Sequence, residues 1–285
     1  MLNIVGAVVV LVGVIGGFLM EHGNLSVLLQ PAELVIIGGA ALGAFLISSP
    51  RKVVTAVLRN IPAIFRSRSH GKGDYIQLLC LMYQVFGKIR KEGLISIEAD
   101  IENPQQSPLF AKYPHVTKDR HALNFICDNL KVIITTSIPP HELDGLLDLE
   151  IETGHHEAMV PSHALSRIAD ALPGLGIVAA VLGVVLTMGK IDQPPAVLGH
   201  SIGAALVGTF IGILACYGFV GPMATNLEFK AKEEEVYFQV IKLALVAFVG
   251  GSAPQIAVEF GRRAVPGDEK PTFSELEKAI RAAGK

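Results

Sequence analysis

Charge is what this sequence has least of. Lysine, arginine, aspartate and glutamate make up 18% of the 285 residues, against 51% hydrophobic residues and a mean hydropathy of +0.48. Ordinary soluble domains carry more charge and less apolar side chain than this. The shortage is concentrated: stretches 1–20, 34–50, 171–189 and 193–227 contain none of the four charged residue types. Each approaches or exceeds the roughly 20 residues that cross a hydrocarbon core at about 1.5 Å rise per residue. Four membrane spans are therefore predicted. A fifth uncharged stretch, 243–258, is short and is broken by Gly250, Gly251, Ser252 and Pro254, so it reads as a buried or surface-packed cytoplasmic helix.

Other absences narrow the reading. Met1, Leu2 and Asn3 bring no positive charge, and no small-residue cleavage pattern precedes Glu21, so the first stretch reads as a retained helix rather than a secretory signal. Only three cysteines occur, Cys80, Cys127 and Cys216, none in a loop read as outward, and no disulfide framework is expected. The net charge is -2, and no basic patch interleaved with aromatics points to nucleic acid. No Asp, Glu, Lys or Arg stands at mid-depth in a span. An ion path needs a titratable or coordinating group inside the membrane, and the spans supply only Thr187, Ser201, Thr209 and Tyr217. If ions pass, a partner must bring the carboxylate.

Basic residues set the expected orientation. Arg51, Lys52, Arg59, Arg66, Arg68 and Lys72 follow the second span with no acid before Asp74, while residues 21–33 hold no Lys or Arg. The positive-inside rule puts the long middle segment and both termini in the cytoplasm, with loops 21–33 and 190–198 outward.

The expected fold is an all-α integral membrane protein in four parts: a transmembrane hairpin at 1–50, a cytoplasmic helical domain at 51–169, a second, channel-lining hairpin at 170–222, and a cytoplasmic helical extension of span 4 with a tail at 223–285. Helix-period apolar residues such as Leu78, Met82, Val85, Phe86 and Ile89 support the middle domain, and Leu123, Ile126, Leu130 and Ile133 repeat the pattern. Loops are expected at Asn103-Pro104, Pro108, Pro114, Pro139-Pro140 and Pro161. No proline or glycine interrupts 223–249, so span 4 should continue as a helix beyond a kink at Gly221-Pro222, a stiff mechanical connection. Ser274 and Glu277 have capping-box spacing ahead of a short helix.

Small residues recur at four-residue spacing, as Gly13 and Gly17, Gly39 and Gly43, Gly176 and Ala180, and Ala204, Gly208, Gly212 and Cys216. Such ridges let helices approach closely in lipid, either between copies in an oligomer or within one chain. Pro173, behind Asp170, reads either as a helix start or as a functional proline; Pro222 reads as a kink or hinge. Two patterns are decoys. Residues 174–179 imitate a dinucleotide fingerprint but lie in a spanning run. His155, His156, Glu157 and His163 suggest a metal hydrolase, yet Val160 stands where a zincin helix needs its second histidine, so a solvated polar stretch is favoured and no metal is expected.

Four separated segments carry a family likeness: 90–104 (RKEGLISIEADIENP), 172–183 (LPGLGIVAAVLG), 207–212 (VGTFIG) and 257–262 (AVEFGR). In order, and over nearly the whole chain, they resemble the MotA family of flagellar stator proteins. The resemblance implies a non-enzymatic inner-membrane ion channel without cofactors, in which five copies surround two copies of MotB. The single helix of MotB carries the ion-binding aspartate, and ion flow turns the ring against the rotor protein FliG. Each charge crossing 100 mV delivers about 2.3 kcal/mol, several RT. The resemblance also implies residue roles. Arg90 and Glu98 match the charged pair that engages FliG, Pro173 and Pro222 the prolines that couple protonation to movement, and Thr209 a pore-facing threonine. Thr187 and Tyr217 join the channel-lining set. Sodium-type relatives tend to have a threonine where this chain has Ala180, and a methyl group cannot ligate sodium, so H+ is the expected ion. The alternative is an energiser like ExbB or TolQ, but those have three spans with the large segment after the first.

Overall fold

The computed structural model describes residues 2–65 and 70–283. Met1, and Arg66 and Arg68 of the basic segment, lie outside the described residues. The helices run in the order α1 (Leu2–Met20), α2 (Leu25–Leu28), α3 (Pro31–Ser48), α4 (Arg51–Phe65), α5 (Lys72–Glu92), a 3-10 turn (Leu94–Ile97), α6 (Glu98–Glu102), α7 (Pro108–Ala111), α8 (Pro114–Lys118), α9 (Arg120–Thr136), α10 (Pro140–Met188), α11 (Pro195–Leu214), a π-helical segment (Ala215–Val220), α12 (Gly221–Val249), α13 (Pro254–Ala264) and α14 (Phe273–Ala283). No strand occurs among the described residues. The chain divides into two compact units, Met1–Arg68 with Ala158–Phe229, and Ser69–Glu157 with Lys230–Lys285.

The first unit holds the apolar helices. Four helical segments are long and apolar enough to span a membrane: Leu2–Met20, Leu25–Ser48, Pro140–Met188 and Pro195–Val249. α1 is apolar on all sides and buries none of its residues inside the chain, which suits a helix covered by lipid or by another chain. The loop expected at 21–33 is shorter than that, because α2 and α3 occupy part of it. Asn24 caps α2, its Oδ1 accepting from the Ser26 N–H at 3.0 Å, and Pro31 then opens α3 in the first turn, where its missing N–H costs nothing.

Two prolines correct the sequence reading. Pro161 was expected in a loop and Pro173 at a possible helix start, yet both lie inside the unbroken 49-residue α10. An interior proline costs about 3 kcal/mol in an isolated helix. Here the flanking residues Ala164, Leu165, Ala169 and Leu172 are buried, and Ser162 Oγ donates to the Ala224 carbonyl at 2.8 Å, so packing outweighs the local penalty. Span 4 has its irregularity where Pro222 demands one. The π-helical segment precedes it, and the Gly221 N–H donates to the Cys216 carbonyl five residues back. The wider turn makes room for a proline ring that would clash with an α-helical carbonyl.

The second unit is a helical domain around α5. Leu78, Leu79, Met82 and Phe86 are fully buried, and Ile126 and Leu130 of α9, Leu143 and Leu147 of α10, and Val240, Ile241 and Leu245 of α12 join the same core. Phe86 and Phe248 stack with ring centroids 4.3 Å apart. Lys242, buried in this unit, reaches Asp144 at 2.9 Å and Asp148 at 2.6 Å, one turn apart on α10. The uncharged stretch 243–258 divides at Gly251, whose φ of +91° ends α12, and Pro254 starts α13. A methyl group at Gly261 of α13 would lie 3.0 Å from both Leu79 Cδ2 and the Val240 carbonyl, so this helix packs closely against α5 and α12. Cys80 and Cys127 are free and buried, and burial pushes their thiols up to about 11 and about 12, so both stay protonated.

The last helix is capped two residues earlier than its sequence suggests. Thr272, not Ser274, is the capping hydroxyl: Glu275 N–H donates to Thr272 Oγ1 at 3.2 Å, and Thr272 N–H donates to Glu275 Oε2 at 2.7 Å. Glu275 also pairs with Lys72 of α5 at 2.7 Å. The Lys72 ammonium first, then the Thr272 donors, pull its carboxyl from 4.5 to about 2. A depressed folded value means that this anchorage is complete above the ordinary carboxylate range and is lost as pH falls through about 2. The protection of the α14 amides, taken relative to the intrinsic exchange rate at each pH, should fall in the detergent-solubilised chain on acidification from about pH 5 to pH 2. In Glu275→Gln the protection should already be low at pH 5 and change little.

Candidate functional site

In the first unit α10 and α11 meet along a seam of small residues. A methyl group at Gly176 would lie 2.7 Å from the Gly208 carbonyl oxygen, one at Gly212 would lie 2.5 Å from the Leu172 carbonyl, and one at Gly183 would lie 2.6 Å from Ala205 Cβ. The backbones are in contact, the way close helix association is achieved without a hydrophobic drive. The third and fourth ridges are thus used within the chain. At Gly13, Gly17, Gly39 and Gly43 an added methyl meets nothing within 4 Å, so the ridges of α1 and α3 remain open.

The seam gathers two of the nominated channel residues. The Ala180 nitrogen lies 3.1 Å from where a Gly208 methyl would stand, and the Thr209 Cα lies 3.3 Å from where a Gly176 methyl would stand. Thr187 is buried, and its hydroxyl donates to the Gly183 carbonyl at 2.8 Å, a bond within its own helix. Tyr217 is 73% exposed. It borders a cleft of about 580 Å³ with Asn3, Asp170, Cys216 and Pro222. Pro173 is half-buried in α10.

Glu33, which the sequence reading leaves in the loop 21–33, belongs to a spanning helix, at its end and short of the mid-depth where no acid is expected. Because α3 starts at Pro31, Glu33 stands in its first turn rather than in a loop, and only 8% of it is exposed. Its Oε2 is buried without a hydrogen-bond partner. A methyl group at Gly208 would lie 2.6 Å from Oε2, and one at Gly183 would lie 3.6 Å from Oε1, so the carboxyl occupies space that the two glycines leave. The sequence signal was Pro31 two residues before the acid, a helix start placing Glu33 on the span rather than ahead of it.

The second unit presents the nominated charged pair. Arg90 is exposed in the last turn of α5; Gly93, at φ +89°, turns the chain, and exposed Glu98 opens α6. Neither is in an ion pair among the described residues. Their mounting is fixed from beneath. Lys88 pairs with Asp100 at 2.7 Å, Ser107 Oγ donates to Asp100 Oδ1 at 2.5 Å, and Ile97 and Ile101 are buried in the core. Asp100 escaped sequence reasoning because it looked like one more surface acid.

The histidines do not gather. His155 Nδ1 is 3.2 Å from Glu235 Oε2 and His156 Nε2 is 3.8 Å from Glu152 Oε1 in the second unit, while His163 belongs to the first. Among the described residues no group of three or more His, Cys, Asp or Glu could hold a metal.

Comparison with known proteins decides the family. Residues 4–93 match the Motility protein A N-terminal family, and residues 118–240 match the MotA/TolQ/ExbB proton channel family. The chain is 45% identical over 282 residues to Motility protein A of Salmonella typhimurium, covering 99% of this chain and 96% of that protein. The chain belongs to the Motility protein A family. The Escherichia coli Motility protein A is 46% identical over the same shares, and chemotaxis protein LafT of Vibrio parahaemolyticus is 38% identical over 98% of each chain. The fold agrees with two solved structures, C. jejuni MotAB (TM-score 0.79, 18% identity, covering 95% of this chain and 98% of that one) and the flagellar MotAB stator complex from Bacillus subtilis (TM-score 0.78, 21% identity, 96% and 100%). As a Motility protein A, the chain is a multi-pass membrane subunit of a flagellar stator ion channel, in a family of channel subunits rather than a known enzyme class.

The seam is testable in any Motility protein A preparation. Gly212→Ala drives a methyl into the α10 backbone at Leu172 and Gly176 and should cost about 1–3 kcal/mol, read as a lowered Tm of the solubilised protein. Gly154→Ala, in α10 at a position where the methyl meets nothing within 4 Å, should leave the Tm unchanged or slightly raised.

Proposed function

We propose that this Motility protein A assembles as five copies around two copies of a MotB-type partner, conducts H+ along α10 and α11, and pushes with Arg90 and Glu98 on the rotor protein FliG. Both termini and the second unit face the cytoplasm in this reading. The observation that carries it is the unpaired opposite charges of Arg90 and Glu98, exposed on a mount that Lys88, Asp100 and Ser107 fix to the domain core. Exposed charges usually serve solubility alone and contribute little to stability. Two that are held in place yet unpaired are suited to meet complementary charges on a moving partner, where desolvation and orientation give specificity.

Proton use is favoured by Ala180, whose methyl offers sodium no oxygen, beside the Gly208 backbone. Pro173 and Pro222 then flank the seam as the places where α10 and α12 yield when the charge of the partner's aspartate changes. An ExbB- or TolQ-type energiser is disfavoured by the plan of the chain, because two spans precede the second unit.

Arg90→Glu and Glu98→Lys should each reduce swimming in soft agar severalfold while the chain still inserts into the membrane at wild-type levels. Normal swimming by both variants would sink the torque assignment. Replacing sodium by potassium should leave wild-type motility intact, and a proton uncoupler should stop it; the reverse pattern would make sodium the ion.

A further inference from the structure

We infer that the Glu33 carboxyl is a proton-binding site that this chain itself supplies, in the pocket where α3 meets the seam of α10 and α11. The inference rests on the proposed ion conduction and adds to it a second carboxyl, one that does not belong to the partner.

Burial and isolation carry the argument. Glu33 is 8% exposed, and its Oε2 has neither solvent contact nor a hydrogen-bond partner. Its carboxyl stands beside the glycine positions 183 and 208, and the atoms that crowd the same two positions are the methyl groups of Ala205 and Ala179 and the Ala180 nitrogen. None of these residues, from α10 or from α11, is titratable or charged, and the buried neighbours on α3 itself, Ile37 and Ala41, are apolar. A bare carboxylate in such a place costs several kcal/mol, so it must be compensated. The atoms nearest the two glycine positions include no arginine or lysine nitrogen, and sodium would need several oxygen ligands where these neighbours offer methyl groups. A proton needs no further ligand. It adds to one carboxylate oxygen, the O–H bond forms, and the charge of the site falls from -1 to zero; release reverses the step. An intramembrane carboxyl that is expensive to keep and has no structural partner marks a proton path.

The placement fits a waypoint. Glu33 lies in the first turn of α3, at the end next to the loop 21–30, and its carboxyl reaches the Gly208 position, beside Ala180 and one residue from Thr209. Gly208 stands 13 residues into α11 from Pro195, about 20 Å of helix rise.

The test uses the whole complex of this chain with its MotB-type partner, reconstituted in liposomes. Proton uptake under an imposed potential is followed across a pH series for wild type, Glu33→Gln, Glu33→Asp and Gly208→Ala. Infrared difference spectra between pH values are recorded on the same samples. Wild type should show a titrating carboxyl band that Glu33→Gln removes. Glu33→Gln should assemble, yet conduct about tenfold less or worse and lose the pH dependence that wild type shows. Glu33→Asp should restore part of the flux with a shifted profile, and Gly208→Ala, which crowds Oε2, should shift the band. An assembled Glu33→Gln with unchanged flux and pH profile overturns the inference. So does a reduced flux of unchanged pH profile with no missing band, which makes Glu33 a packing residue only, and so does a band that responds to sodium rather than to pH. A wild-type complex that conducts nothing sinks the proposed function instead, and there the infrared titration alone still decides whether Glu33 binds a proton.

Discussion

Between α10 and α11 the backbones come so close that a methyl group at Gly212 would stand 2.5 Å from the Leu172 carbonyl and 2.9 Å from the Gly176 Cα. In lipid this contact cannot be driven by removing apolar surface from water, since the acyl chains are as apolar as leucine. It rests on dispersion between backbone atoms, which falls away within fractions of an ångström. The rest of the membrane-spanning unit follows from that closeness. The proline at position 173 is tolerated inside a helix whose neighbouring turns are packed. The Thr187 hydroxyl, denied water by burial, turns back onto the Gly183 carbonyl of its own helix. The slots that the glycines leave on the α3 side are what admit the Glu33 side chain.

In the second unit the ruling constraint is different. Ordinary apolar burial around α5 fixes the positions of Ile97 and Ile101, and between them the short helix α6 begins. The buried Asp100, paired with Lys88 and accepting from Ser107, pins the same turn by charge. Apolar core and ion pair together hold the backbone of Arg90 and Glu98 while leaving their charged ends exposed. The proposed contact with the rotor would need that arrangement, because a charge on a mobile loop would yield before it transmitted a force.

The spans were legible because charge is expensive in hydrocarbon, so four uncharged stretches announce four helices with little ambiguity. What defeated local rules was packing at a distance. Pro161 and Pro173 signal breaks to any reader of propensity, yet α10 runs through both. Ser274 and Glu277 have the capping spacing, but the pairing of Glu275 with Lys72 shifts the cap to Thr272. The small-residue ridges were visible as patterns while their partners were not: spacing alone could not say that Gly208 meets Gly176 and that Gly13 meets nothing. Glu33 was missed for a related reason. Counting uncharged residues ends a span at the first charge, so an acid in the first turn of a spanning helix is assigned to water.

That bias bears on how an ion channel of this kind is understood. If every carboxyl in the spanning helices belongs to a partner, the chain is a passive scaffold and its own groups set only the size of the path. A buried, unpartnered Glu33 on the chain itself changes the electrostatics, because each copy then brings a charge that must be neutralised whenever it is exposed to the low-dielectric interior. On the proposed assembly of five copies around two partners, such groups outnumber the partner carboxyls. Their protonation becomes a property of the ring, and the energy of moving a partner carboxylate past each copy depends on whether the Glu33 it faces is charged or neutral. Like charges repel, so in the proposed assembly a proton on Glu33 lowers the barrier to approach and its loss raises it. The carboxyl thereby supplies a protonation-dependent term that a scaffold of alanine, glycine and threonine has no means to provide.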